Sequence, residues 1–286
     1  MTARIAITEP GVYDGMSDAT YHGDPVEGGS LSSSGARTLL KSPALYQWER
    51  THRVEKDVYD VGHAVHAKVL GTGADVVLLD FDSWRTKDAR EAKAAAYADG
   101  KTPMLTKDYA PVERMAEAVL AHPLAKALLE KPGKPEQSLF AQDPTTGVWL
   151  RARIDYLHDP TEGRRTIGVD LKTAVSADPR RFRKAVVDHG YDVQDTFYQH
   201  VLRLARGDDD TAFVFIAVEK EPPHLVSVIE LVGEFTDTGE RQMRRAIETY
   251  KRCTETGDWP GYAPVVHPID PPRWHVIAIE EEELAS

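Results

Sequence analysis

The sequence is short of several things, and each shortage closes off a class of function. It has one cysteine, Cys253, so no intramolecular disulfide can form and no four-thiolate iron–sulfur cluster can be held. With so little sulfur available, zinc is not the expected native ion either. No uninterrupted apolar stretch reaches the roughly eighteen residues of a transmembrane span, and the opening Met1-Thr2-Ala3-Arg4-Ile5-Ala6-Ile7-Thr8-Glu9-Pro10 is broken too early for a signal peptide. No membrane partner is expected, and the chain reads as soluble and intracellular. Basic residues are in the minority: 35 Lys and Arg against 46 Asp and Glu give a net charge of −11. That argues against a protein that coats nucleic acid over its whole surface, because phosphate binding is driven by Lys and Arg releasing counterions. An ATP motor is also excluded. Gly100-Lys101-Thr102 resembles the end of a phosphate loop, but the glycine required five residues earlier is Ala95, and Pro103 follows at once.

What is present fits one large domain without internal repeats, since 286 residues of 41% hydrophobic content can bury a substantial core. The expected organisation is a helical part over about 1–130, a catalytic core over about 131–256 and an irregular tail over 257–286. Ser32-Ser33-Ser34 reads as a helix N-cap before Ala36–Leu40, and Ser42-Pro43 restarts a helix through Trp48. Residues 84–106, charged and alanine-rich with Gly100 and Pro103 interrupting, predict a mobile helical excursion over the site, and 110–130 predicts one further helix. Strands are expected over 211–219 and 225–231, and a helix over 238–256.

The most informative grouping is Asp155 followed by Asp170-Leu171-Lys172. Asp155 closes Val148-Trp149-Leu150-Arg151-Ala152-Arg153-Ile154-Asp155 and Asp170 lies in Thr166–Lys172, both rich in bulky and β-branched residues. His158-Asp159-Pro160-Thr161-Glu162-Gly163 between them has turn chemistry. The spacing predicts a hairpin, and the strand period of two puts Asp170 and Lys172 on one face while Leu171 points away. Hard cations such as Mg²⁺ take oxygen ligands, usually one or two carboxylates. A lysine beside such a cation can orient an attacking water and offset negative charge building on phosphorus. Asp-x-Lys triplets are common, however, and most are solvated surface charge.

Val61, Val65 and Val69 recur at helical spacing and place His66 beside an apolar stripe, with His63 three residues away. His66 is either a metal ligand or a core histidine satisfied by a backbone carbonyl. In the helical segment from Tyr191 to Leu202, Gln194 and Tyr198 lie four apart on one face. They either hold substrate and brace the lysine or serve as ordinary polar surface and amphipathic core. Glu136 is either an accessory acid or a solvated strand-edge charge. Arg151, Arg153, Arg164, Arg165, Arg180, Arg181, Arg183 and Lys184 crowd this part of the chain, whereas Glu280–Glu283 near its end are acidic. Such segregation suits a basic DNA channel in an acidic shell, with Arg151, Arg153, Arg180 and Arg181 as DNA contacts. The alternative for Arg180–Lys184 is a solvated helix start after Asp178-Pro179.

The order of the pieces, His in an early helix, then Asp, then Asp-x-Lys, then Gln-x-x-x-Tyr, resembles the PD-(D/E)xK nuclease superfamily and, within it, the RecE-type exonucleases of phages and prophages. The resemblance runs through Gly11-Val12-Tyr13, Leu31-Ser32-Ser33-Ser34, Ser42-Pro43-Ala44-Leu45-Tyr46, Gly62-x-x-x-His66, Asp143-Pro144-x-Thr146-Gly147, Arg153-Ile154-Asp155, Asp170-Leu171-Lys172-Thr173 and Tyr191–Tyr198, up to about Val218. It departs at Ile154, where the pattern has proline, and at His63, where it has Thr or Ser. It implies an α/β fold with a mixed central sheet flanked by helices. His66, Asp155, Asp170 and the Leu171 carbonyl would hold Mg²⁺, with Mn²⁺ able to substitute. Lys172 would be catalytic, with Gln194 and Tyr198 in the DNA-contacting motif. It further implies 5′-to-3′ digestion of double-stranded DNA ends, a ring-shaped homo-oligomer such as a tetramer, a single-strand annealing partner of RecT type, and the cytoplasm of a bacterial host. A structure- or site-specific endonuclease of the same fold and a non-catalytic recombination accessory are the competing readings.

Overall fold

A computed structural model describes residues 6–52 and 58–284. The chain begins with strand β1 (Gly11–Tyr13), helix α1 (Asp18–His22), strand β2 (Leu31–Ser32) and helices α2 (Ser33–Lys41), α3 (Pro43–Thr51) and α4 (Val58–Leu70). Strand β3 (Val76–Leu79), helix α5 (Lys87–Ala98), strand β4 (Thr102–Leu105) and helices α6 (Thr106–Ala121) and α7 (Pro123–Leu129) follow. The centre is built from strands β5 (Gly133–Gln142), β6 (Trp149–His158) and β7 (Thr166–Ala174), helices α8 (Pro179–His189) and α9 (Tyr191–Arg206), and strands β8 (Thr211–Glu219) and β9 (Val226–Glu230). Helices α10 (Glu234–Thr256) and α11 (Arg273–Leu284) complete it.

The main sheet runs β1-β5-β6-β7-β8-β9, with β2 added beside β6. It is mixed and mostly antiparallel: only β7–β8 and β2–β6 are parallel pairs. Strand β8 shows why it is central. Phe213, Phe215 and Ala217 pack on one face with Leu39, Phe182, Phe197 and Met243 from α2, α8, α9 and α10. The alternate residues Val214, Ile216 and Val218 pack on the other face with Val65, Met115, Val119 and Leu128 from α4, α6 and α7. A strand covered on both sides reads as a continuous apolar run, as TAFVFIAV does. The α/β class with helices on both faces of a mixed sheet is thus the one the sequence implied.

Local chemistry sets the helix starts. Ser32 Oγ accepts from Gly35 N, and Ser42 Oγ from Leu45 N with Pro43 in the first turn. Gly190, at φ 65°, ends α8 and opens α9 in one residue. Gly168 is fixed by packing, since a Cβ there would lie 2.9 Å from Phe213 Cδ2.

Several expectations are corrected. Residues 84–106 are not one helical excursion: α5 buries Ala89, Lys93 and Ala96, and β4 pairs in parallel with β3 in a second, two-stranded sheet. The helix expected over 110–130 is two, because Pro123 starts α7 after His122 caps it. The segment before residue 130 is not purely helical, since β1 and β2 join the main sheet. The tail is irregular only up to Pro272, after which α11 forms. Among the described residues no helix is long and apolar enough to cross a membrane.

Candidate active site

Strands β6 and β7 form the expected antiparallel hairpin, but their ladder is confined to Tyr156↔Val169 and Leu157↔Gly168. The pairing stops where Asp155 would face Asp170. There the Asp155 side chain substitutes for a ladder partner: its Oδ2 accepts from Leu171 N at 2.7 Å. The Leu171 side chain packs with the Val169 and Ile216 cluster. Asp170 and Lys172 share a face, and Lys172 Nζ lies 2.5 Å from Asp170 Oδ2. The lysine also stands 5.0 Å from the centroid of the Tyr191 ring.

Helix α4 brings His66 into the same place. Its Nε2 is 2.6 Å from Asp155 Oδ2, and its Nδ1 is 3.1 Å from Glu136 Oε1, so its ring nitrogens face carboxylates and not a backbone carbonyl. His63 is exposed. Glu136 reaches His66 through an irregularity of β5. The register passes from Pro135↔Tyr156 to Gln137↔Ile154 and skips Glu136, which has φ 52°. The register does not shift across the gap, so this is a break in the ladder opposite Asp155 and not an inserted residue, held by a non-glycine residue in the left-handed region, a conformation that costs energy and concentrates at functional sites.

Helix α9 contributes Gln194, whose Nε2 donates to Asp170 Oδ1 at 2.6 Å. The amide therefore braces the carboxylate, not the lysine, and at 3% exposure it is a support beneath the site rather than a surface for DNA. Tyr198 packs edge-on against Phe213 at 5.3 Å. Its phenol is pushed well above the usual tyrosine range by burial, helped by Tyr21 and the site carboxylates.

The arginines expected to touch DNA divide in two. Arg151 donates to Asp24 at 2.6 Å and to Ser30 O and Oγ at 2.7 and 2.8 Å. Arg153 donates to Ser138 Oγ at 3.0 Å, to Asp18 and to Met16 O, with Glu136 Oε2 3.7 Å away and the Tyr21 ring beneath. Both are committed inside the protein. The expectation of DNA-facing guanidinium groups at 151 and 153 is corrected, because carboxylates from the N-terminal segment already occupy them. Arg180 pairs loosely with Asp178 at 3.4 Å and is exposed, as is Arg181.

Charge in the site is tightly compressed. Burial, then the neighbouring Asp155, pushes the Asp170 carboxyl up to about 6 against the pull of Lys172. Burial works against the charge of His66, but Asp155 and Glu136 outweigh it and raise the imidazole to about 10. Asp155 is held below the ordinary carboxylate range despite its burial, by His66, Lys172 and the Leu171 N–H. Among the described residues, no three His, Cys, Asp or Glu side chains already converge as a metal cage; the cationic His66 and Lys172 stand against the carboxylates instead. The donor set nevertheless fits a hard divalent cation. Buried carboxylates at 155 and 170, one raised by the other, are relieved by positive charge, and Glu136 and His66 adjoin them. Sequence reasoning left Glu136 open and missed the roles of Tyr191 and Arg153, since a ladder break at a non-glycine residue and an arginine anchored far upstream have no local signature.

A family model described as a PDDEXK-like domain of unknown function (DUF3799) matches residues 32–267. No curated protein is significantly similar to the chain. Among solved structures, one from Eubacterium rectale described as a "putative exonuclease" superposes with a TM-score of 0.57 at 11% identity, covering 85% of this chain and 90% of that one. At that identity the likeness concerns the fold alone. A second, described as SSO0001, has a TM-score of 0.29 at 12% identity over 79% of this chain and 86% of that one, too low to carry an argument.

Proposed function

The chain belongs to the PDDEXK-like family whose model matches residues 32–267, and on that premise we propose that it is a Mg²⁺-dependent exonuclease that shortens double-stranded DNA from its 5′ ends. The observation that carries this reading is the convergence of Asp155, Asp170, Lys172 and His66 where the β6–β7 ladder opens. The exonuclease description of the Eubacterium rectale structure supports end dependence. Polarity, and delivery of the 3′ strand to an annealing protein of RecT type, rest on the RecE-type motifs.

Asp155, Asp170 and His66 would hold the cation, with the Leu171 carbonyl as a further ligand. When bound, the cation offsets charge on the phosphate and favours ionisation of the attacking water. The protein's own groups do the positioning. Lys172, charged because Asp170 and Asp155 overcome the effect of its burial, presents its ammonium to the scissile phosphate and stabilises the charge that develops there. Gln194 fixes the rotamer of Asp170. Glu136, steadied by Arg153, orients the His66 ring through Nδ1 in the manner of a carboxylate behind a histidine ligand.

The test is digestion of linear against covalently closed circular duplex in Mg²⁺, with either strand end labelled. Loss of the linear form alone, with the 5′ label released first, is the expected result. Equal loss of the circle would make the protein an endonuclease, and undiminished cleavage in excess chelator would remove the metal from the reading.

A further inference from the structure

The basic residues of helix α10 are not used alike. Arg244 is consumed inside the protein, donating to Asp143 at 2.7 Å, and Lys251 pairs with Glu255 at 3.9 Å. Arg241 and Arg245 are exposed, and among the described residues neither guanidinium group forms an ion pair or a hydrogen bond. They lie four residues apart, so they share one face of the helix about 6 Å apart along its axis. Like charges at that spacing oppose each other and weaken the helix, and an anion between them removes the cost.

The two flanks of this arginine ridge differ. On one side Asp237, Glu240 and Glu248 line the surface together with the arginines. On the other, an open cleft of about 430 Å³ is lined by Thr238, Arg241, Gln242 and Arg245, with no carboxylate. Thr238 also borders the neighbouring groove against α8, which brings the exposed Arg183 to the same side. Glu230 and Glu234 line that groove too, but Glu230 is already engaged by Arg165 at 3.0 Å. The cleft is tied to the active site through α9. Gln242 Nε2 donates to Asp192 Oδ2 at 3.1 Å, and the residue before Asp192 is Tyr191, whose ring stands against Lys172. Forked donors without an acid among them suit the oxygens of a phosphodiester.

We infer that Arg241 and Arg245, with Arg183, hold the phosphate backbone of duplex DNA beyond its cleaved end. The inference rests on the nuclease reading and extends it from the scissile phosphate to the flank of the substrate. Contacts of this kind carry no sequence information and gain affinity from released counterions. A chain of net charge −11 whose Arg151 and Arg153 are spent on internal carboxylates needs cations of this kind elsewhere on its surface.

Duplex affinity measured in Ca²⁺ over a range of salt concentrations tests this, with Mg²⁺ cleavage of the same duplex by the parent protein as the companion measurement. Arg241→Gln combined with Arg245→Gln should weaken binding and make the dependence of log affinity on log salt shallower by about two, and Arg183→Gln on the other helix should make it shallower by about one. Neither change should lower the melting transition. Arg114→Gln, exposed on α6 across the sheet, removes the same charge and should leave the slope where it was. A double variant with the parental slope, or a control that lowers it equally, would overturn the inference while binding and cleavage by the parent leave the nuclease reading standing. A parent protein that neither binds nor cleaves duplex would overturn both.

Discussion

Asp143 and Asp170 are buried to the same degree, at 0% and 2% exposure, yet their carboxyl groups are pushed in opposite directions. Asp143 sits in the β5–β6 turn. One of its oxygens accepts from Thr146 N and Oγ1 at 2.9 and 2.8 Å, and the other from His200 Nε2 and Arg244 at 3.0 and 2.7 Å. Despite its burial, these donors hold it far below the ordinary carboxylate range, with Arg244 foremost. Asp170 has Gln194 and Lys172, but also Asp155 beside it, and it rises to about 6. Burial is common to both sites, so it is the ratio of donors to negative charge that separates a carboxylate held ionised from one pushed toward its neutral form.

The largest expected difference between the two regions is in catalysis. Asp155→Asn, Asp170→Asn and Lys172→Ala should each lower cleavage by roughly 10³-fold or more, the scale of losing a charge-stabilising group at a reacting centre. Asp170→Asn should not lower the melting temperature, because it relieves like-charge repulsion while the amide oxygen can still accept from Gln194. A variant that melts early, or that cleaves at the parental rate while folded, would break the comparison at once.

The converse holds at Asp143. Asp143→Ala strips a buried acceptor from Arg244 and His200 and unties the Thr146 turn, so it should cost about 3–5 kcal/mol in urea unfolding. Activity per folded molecule should persist. Between these extremes lies Gln194→Ala. Loss of one hydrogen bond to a charged acceptor is worth about 1.5–3 kcal/mol, so kcat should fall roughly ten- to a hundredfold with KM little changed. A rise in KM alone would mean that Gln194 touches DNA after all.

The Asp143 cluster also gives stability a pH dependence. His200 is held below the usual imidazole range by burial and by Arg244, although Asp143 pulls the other way. Once the pH drops below about 6.5, the unfolded histidine takes up a proton that the folded one resists, so stability falls. Below about 4 the same happens at Asp143, whose folded carboxyl stays ionised longer than its unfolded counterpart. Urea midpoints should therefore fall in two steps on acidification. The upper step should shrink in His200→Gln and the lower in Asp143→Asn. A flat profile in the parent protein would show the cluster to be energetically silent.

How much of this was legible in the sequence depends on the range of the interaction. The β6–β7 hairpin, the shared face of Asp170 and Lys172, the His66 helix and the Gln194–Tyr198 helix follow from strand and helix periodicity, because each motif sets its own backbone. What the residues do in three dimensions was less legible. Asp143 stood out only as part of a segment that carries the family resemblance, and its partners come from α9 and α10. Glu136 enters through a left-handed backbone position without a glycine to announce it. The acidic run Glu280–Glu283 was visible, but not the helix that carries it, because the preceding prolines suggested an irregular end.

The smallest effect separates the arginines. A basic side chain that contacts phosphate contributes about one unit to the salt dependence of DNA affinity, whereas one consumed by internal carboxylates contributes nothing. Arg151, bound to Asp24 and Ser30, belongs to the second kind, so Arg151→Gln should lower stability and leave the slope of log affinity against log salt unchanged. Arg181, exposed on α8, is proposed as the first kind, and Arg181→Gln should reduce the slope by about one while leaving the melting transition where it was. Affinities for a short duplex at several salt concentrations, measured in Ca²⁺ to slow cleavage, decide between them. If Arg151→Gln flattened the slope and Arg181→Gln did not, the N-terminal carboxylates would have to release Arg151 when DNA binds, and the basic surface would lie over β6 instead of α8.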